Sequence, residues 1–218
     1  MEIDPNGLSI AERYKLLIGC VVPRPIAVVS TVSVDGALNL APFSFFNAVG
    51  SDPMTMLFCP ANRADGSEKD SLRNAKPIIE GGTGQFVVNV AVDGYARQVA
   101  AAAEELPHGE SEFDLTGLTP IESAVVDPPR VAESPVAFEC ETVQVIRTNE
   151  GSPAGGNIVI GRVVHVFVRD DLINERSHID AARLDAIGRM GGRSYCRTRD
   201  RFELPVGRAA LRSDEPHA

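Results

Sequence analysis

Three groups of side chains in this chain have the types and spacing to hold a small ligand. The first lies in the stretch Arg24 to Asn47, RPIAVVSTVSVDGALNLAPFSFFN. Ser30 and Thr31 stand on one apolar arm, Ser44 and Asn47 on the other, across an Asp35-Gly36 turn. Hydroxyls and a carboxamide beside Phe43, Phe45 and Phe46 make a floor that fits a flat, polar-edged ring system. The same hydroxyls would also serve to satisfy backbone groups at a sheet end. Strand alternation puts Phe43 and Phe45 on one face and Phe46 on the other, so part of this trio belongs to the core. The second group is Asp65-Gly66-Ser67-Glu68-Lys69-Asp70-Ser71. A helix capped by Asp65 or Ser67 would carry Lys69, Asp70 and Ser71 in its first turn. Its free N–H groups, the Lys69 charge, the Ser71 hydroxyl and Arg63 just upstream form a seat for a phosphate. The plain alternative is a solvated helix cap, and Glu68 and Asp70 oppose an anion unless they point away. The third group is Gly188 to Tyr195, GRMGGRSY. Its glycines admit close approach of a ligand, Arg189 or Arg193 can reach a phosphate, and Tyr195 can pack on a ring. The alternative here is a flexible C-terminal loop with solvated arginines.

Other chemistries lack their residues. The histidines, His108, His165, His178 and His217, show no HxxxH or HExxH spacing, and no two of Cys20, Cys59, Cys140 and Cys196 form CxxC. A metal site is therefore not expected, and Cys59 and Cys140, in apolar runs, read as buried thiols. There is no GxSxG, GxGxxG or Walker A element, so neither a serine hydrolase nor a Rossmann dehydrogenase is indicated. The net charge of −9 disfavours a general nucleic-acid binder. The N-terminal residues MEIDPNGLSIAERYK offer no apolar signal region, and no run approaches membrane-span length. A cytoplasmic protein is expected.

The elements that must position these groups are mostly strands. Ser9 to Cys20 reads as a short amphipathic helix with a Ser9/Glu12 capping box and one face made of Ile10, Tyr14, Leu17 and Ile18. Strands are predicted over Ile26 to Val34, Leu38 to Ala48 with Pro42 marking an edge or a bulge, Met54 to Cys59, Gln85 to Val92, Val136 to Arg147 and Asn157 to Arg169. Tyr95 to Leu106 reads as a helix, Glu110 to Asp127 as loop, and Asp180 to Arg199 as a short helix followed by a glycine-rich segment. Residues after Gly207 look frayed. With 15 Pro, 19 Gly, no Trp and no internal linker, 218 residues suit one domain with a core of about 10–205. A closed or nearly closed antiparallel barrel is favoured over a sandwich.

Taken in order, these segments resemble the flavin reductase-like, FMN-binding proteins, which include flavoredoxins and the small reductase components of two-component monooxygenases. The resemblance rests on YKLLIGCVVPRPIAVVSTVSVDGALNLAPFSFFNAVGSDPM, RADGSEKDSLRNA, PPRVAESP, the strand Gly156 to Asp171 and GRMGGRSYCR. It covers about residues 10 to 205. It implies a mostly β, antiparallel, Greek-key-like split β-barrel with a few short peripheral helices, assembled as a homodimer with FMN near the subunit interface. Ser30, Thr31, Ser44, Phe46 and Asn47 would line the isoalloxazine and ribityl chain. Arg63, Lys69, Asp70 and Ser71 would surround the phosphate, and Arg189 and Tyr195 would close the pocket, from either subunit. The implied activity is hydride transfer from NADH or NADPH to flavin, with electrons passing to free flavin, a partner oxygenase or another acceptor. A bound-FMN electron carrier and a non-catalytic flavin-binding protein are the alternatives. Catalytic side chains are not expected, since the chemistry would sit on the flavin.

Overall fold

The computed structural model describes residues 1–107 and 109–212. Its first helix, α1 (Ile10–Cys20), starts as the Ser9-x-x-Glu12 spacing requires. Ser9 Oγ accepts from the Glu12 N–H at 3.3 Å, and the Glu12 carboxylate accepts from the Ser9 N–H at 2.9 Å. Strands follow as β1 (Arg24–Pro25), β2 (Ala27–Val32), β3 (Leu38–Phe43), β4 (Phe46–Ser51) and β5 (Met54–Phe58). Helix α2 (Asp70–Ala75), strand β6 (Gln85–Val90) and helices α3 (Ala96–Ala101) and α4 (Glu112–Thr116) come next. After them lie β7 (Pro120–Ile121), β8 (Arg130–Val131), β9 (Val136–Arg147), β10 (Asn157–Val168), α5 (Ala181–Leu184), β11 (Ile187–Arg189) and β12 (Tyr195–Arg197).

Seven of these strands form one antiparallel sheet in the order β3-β2-β6-β9-β10-β5-β4. Its two edge strands, β3 and β4, share no ladder, yet only Ser44 and Phe45 separate them in the chain. Phe43 of β3 and Phe46 of β4 both enter the core that contains Phe58, Phe86, Leu72 and Val159. The sheet thus curls round one core and stays open between its edges, which makes a mostly β split barrel with short peripheral helices. Inside it the rings of Phe43, Phe58 and Phe86 pack in series at 5.1 and 5.0 Å. The outer face of β2 and β3 buries Val28 and Leu40 against Val99 of α3, Phe113 of α4 and Ile187 of β11. Alternation along β2 separates these two cores, because Val28 and Val29 point to opposite sides.

Several predicted elements differ in detail. The strand expected over Leu38 to Ala48 breaks after Phe43, so alternation fails across the corner: Phe43 and Phe46 share the core, and Phe45 is exposed. The helix near Lys69 is not capped by Asp65 or Ser67. Gly66 takes φ +85°, and Asp65 Oδ1 accepts from the Ser67 N–H and hydroxyl in a turn of its own. Lys69 becomes the capping position, without a side-chain cap bond, and the helix is only six residues long. The Tyr95 to Leu106 helix is shortened to α3, and Glu110 to Asp127, expected as loop, contains α4, capped by the Ser111 hydroxyl on the Phe113 N–H. The helix expected from Asp180 is one turn, and the glycine-rich segment after it is a hairpin: β12 pairs with β11, and β11 with β1. Gly207–Arg212 is a 3₁₀ helix, and the tail beyond it, with His217, lies outside the described residues, as does His108. Cys140 is buried as expected, whereas Cys59 is only half-buried. No described helix is long and apolar enough to cross a membrane.

Candidate functional site

Two adjoining cavities open between the β3–β4 corner, α2, α3 and the C-terminal hairpin. The narrower, about 90 Å³, is lined by Asn39, Arg63, Lys69, Asp70, Ser71, Glu112 and the segment Ala102 to Leu106. The wider, about 400 Å³, has an apolar wall of Ile26, Val99 and Ala100 and a polar rim of Tyr14, Ser44, Arg189, Arg193 and Tyr195. Pro42 and Ala103 line both, so the two run into one another. The first has the volume of about three waters and the second that of a small ring system.

The narrow end collects charge. Arg63 Nη2 donates to Asp70 Oδ2 at 2.8 Å, Arg73 to Asp70 Oδ1 at 3.0 Å, and Lys69 Nζ to Glu105 Oε1 at 3.1 Å. Arg63 Nε is buried and has no acceptor among the described residues. Arg63 and Lys69 bring two cationic side chains to one small cavity, a set that fits an anionic oxygen supplied by a ligand. Below it, a buried amide network fixes the floor. Asn39 Nδ2 donates to Thr31 Oγ1 at 3.0 Å and to Ser71 Oγ at 3.1 Å, and Asn74 Nδ2 donates to Thr31 Oγ1 at 3.1 Å. Both hydroxyl oxygens thus act as acceptors, leaving their protons to donate elsewhere. Glu112, on α4, closes one wall, and its Oε2 accepts the Leu40 N–H at 2.8 Å. Burial pushes the Glu112 carboxyl above its ordinary range, opposed by that Leu40 bond.

The wide end is organised by Arg24. Its guanidinium is buried and donates to Ile18 O at 2.8 Å, Val21 O at 2.6 Å, Met190 O at 3.2 Å and Ser44 Oγ at 3.1 Å. One side chain therefore ties the end of α1, the β3–β4 corner and the C-terminal hairpin together. Burial lowers its pKa, with nearby Arg189 acting in the same direction. Arg189 lies 4.4 Å from the centre of the Tyr195 ring and donates to Gly192 O at 2.7 Å, so its charge is held on the rim.

The predicted site residues divide by position. Arg63, Lys69, Asp70 and Ser71 meet at the narrow cavity, and Ser44, Arg189 and Tyr195 at the wide one. Thr31 supports the floor from below without lining either cavity. Ser30 does not reach them. It is on the opposite face of β2 from Thr31, fully buried, and donates to Pro129 O at 2.5 Å. Phe46 packs on the barrel core, and Asn47 is exposed on edge strand β4, its Oδ1 accepting from the Ala48 N–H. Neither lines either of these two cavities. Sequence reasoning missed Asn39, Asn74, Arg24 and Glu112. Counting outward from a two-residue Asp35-Gly36 turn would set Leu40 opposite Thr31, whereas the register pairs Thr31 with Asn39, so that partner needed the folded chain. Arg24 gave no signal either, because one of its acceptors comes from Met190, far along the chain.

The chain is similar to known proteins over nearly its whole length. The flavin reductase-like domain family matches residues 18–183. Nitrilotriacetate monooxygenase component B from Bacillus cereus is 38% identical with a TM-score of 0.86, covering 94% of this chain and 98% of that one. The 2-nitrobenzoate 2-nitroreductase NbaA of Pseudomonas fluorescens is 32% identical with a TM-score of 0.80, covering 95% and 97%. A split-barrel protein from Shewanella frigidimarina is 22% identical with a TM-score of 0.79, covering 95% and 100%, a likeness of fold. With a split barrel and a two-part cavity at its open seam, the chain belongs to the flavin reductase-like domain family.

Proposed function

We propose that this protein binds FMN along the joined cavities and uses NADH or NADPH to reduce flavin. The observation that carries this reading is the pairing of one cavity lined by Arg63, Lys69 and Ser71 with an adjoining, partly apolar cavity of ring size. The phosphate would sit with Arg63, Lys69 and Ser71, and the ring against Pro42 and Ser44 beneath Tyr195 and Arg189. Asp70 would position Arg63 without touching the anion itself. When bound, FMN supplies the ring that accepts the hydride. The chain's own residues bind and orient. Ile26, Val99 and Ala100 exclude water from one side, and the Arg189 charge favours negative charge developing on the ring. No side-chain nucleophile is called for.

Similarity to a monooxygenase component supports passing electrons to free flavin or a partner oxygenase. A homodimer is supported by apolar side chains left outside: Ile10, Leu17 and Val21 at α1, and Val49 and Met54 at β4–β5. Sedimentation equilibrium at micromolar concentration should return twice the chain mass, and a monomer's mass would remove the dimer. The activity is tested by recording the visible spectrum of the FMN-loaded protein before and after anaerobic NADH, then NADPH. Bleaching with either is the expected result. A flavin that stays oxidised with both, while dithionite bleaches it, would contradict the reductase reading.

A further inference from the structure

The end of the cavity assigned to the phosphate already holds a carboxylate. Lys69 Nζ donates to Glu105 Oε1 at 3.1 Å, and Glu105 lines the same narrow cavity as Lys69, Arg63 and Ser71. Of the four carboxylates that line this cavity, Asp70, Glu104, Glu105 and Glu112, Asp70 and Glu105 form ion pairs with these cations, and the two are held differently. Asp70 is 15% exposed and is clamped by Arg63 and Arg73 together, so it is part of the wall. Glu105 is 61% exposed and sits in the segment just after α3, whose last turn ends in the Ala102 and Glu104 backbone bonds to Gln98 and Ala101. Its side chain can leave at the cost of one solvent-facing ion pair. Lys69 is 34% exposed and stays anchored as the first position before α2.

We infer that Glu105 is a built-in competitor for the flavin phosphate, which makes FMN an exchanging ligand and sets how strongly the site prefers phosphorylated flavin. This rests on the phosphate end being where the proposed function puts it. On binding, Lys69 passes from the Glu105 carboxylate to a phosphate oxygen, and Glu105 swings into water. On release, Glu105 retakes Lys69 and lowers the barrier to departure. An anion replaces an anion at each step, so the charge of the cavity is not left uncompensated. Riboflavin has no phosphate and leaves the Lys69–Glu105 pair intact, so its affinity is independent of Glu105.

The test is fluorescence titration of FMN and of riboflavin against the full-length protein, Glu105→Gln, Lys69→Met and the double variant, with FMN release timed by stopped flow. Gln keeps the size and exposure of the side chain and removes its charge, so folding is not at issue. Given the worth of an exposed ion pair, Glu105→Gln should tighten FMN about two- to fivefold, slow its release by a similar factor and leave riboflavin unchanged. In the Lys69→Met background the same change should do little. If Lys69→Met weakens FMN but Glu105→Gln does not tighten it, or shifts riboflavin equally, the competitor role is overturned and the phosphate seat stands. If Lys69→Met leaves the FMN-to-riboflavin preference unchanged, the phosphate seat itself is wrong and the inference goes with it.

Discussion

Glu112 shows how one buried carboxyl can couple the cavity wall to pH. It is 7% exposed, faces the narrow cavity and accepts from the Leu40 N–H. Burial raises its folded-state pKa above the ordinary value near 4.5, with Asp70 adding to the rise. Folding therefore favours the protonated form. Its contribution to stability is fully present below the unfolded value and is lost as pH rises through the folded value. Glu112→Gln keeps an oxygen for Leu40 and never ionises. Its melting temperature should exceed that of the parent at about pH 7.5, with the gap shrinking towards about pH 4. Thermal melts of both proteins across that range check the sign, and a gap that does not vary with pH would contradict it. At the same scale, the hydroxyls Ser30 and Thr31 show what residue type alone conveys. Both are neighbours in a β-strand, so their side chains leave on opposite faces, and only Thr31 joins the amide network under the cavity.

Among the elements, the long strands β9 and β10 and helix α1 were legible because their signals are local. β-branched runs mark the strands, and one Ser/Glu pair marks the helix start. The β3–β4 corner was not legible, because what ends β3 is long-range. Ser44 is held by Arg24, and Phe45 lies 5.7 Å below the same guanidinium. Helix α4 was missed because five residues between Ser111 and Gly117 carry little periodicity, and burial of Phe113 against the outer core decides it. Within the barrel, Gly161 of β10 marks a close approach. A Cβ built there would fall inside contact distance of the Phe86 ring and 3.2 Å from Cys140 Cβ. Phe86 is fully buried and packed on Phe58, so its ring cannot move aside cheaply. Gly161→Ala should therefore lower stability by about 1–3 kcal/mol, read as a lower urea midpoint at unchanged slope. An unshifted midpoint would show that the aromatic stack adjusts more freely than its packing suggests.

On the scale of the whole molecule, an acidic chain of net charge −9 places Arg63 and Lys69 at one end of a seam and Arg189 and Arg193 at the other. The barrel supplies this seam by leaving β3 and β4 unpaired, and the C-terminal hairpin returns through β1 to close over it. The sequence order of the motifs indicated the family and the two ends of the site. The joining of those ends through Pro42 and Ala103 needed the folded chain. The central claim is this two-ended cavity, and the most direct measurement is a crystal structure of the protein soaked with FMN. The account predicts difference density with the phosphate between Arg63 and Lys69, Glu105 turned away from Lys69, and the ring between Pro42 and Tyr195. Flavin density at another place on the surface, with Lys69 still bonded to Glu105, would contradict it.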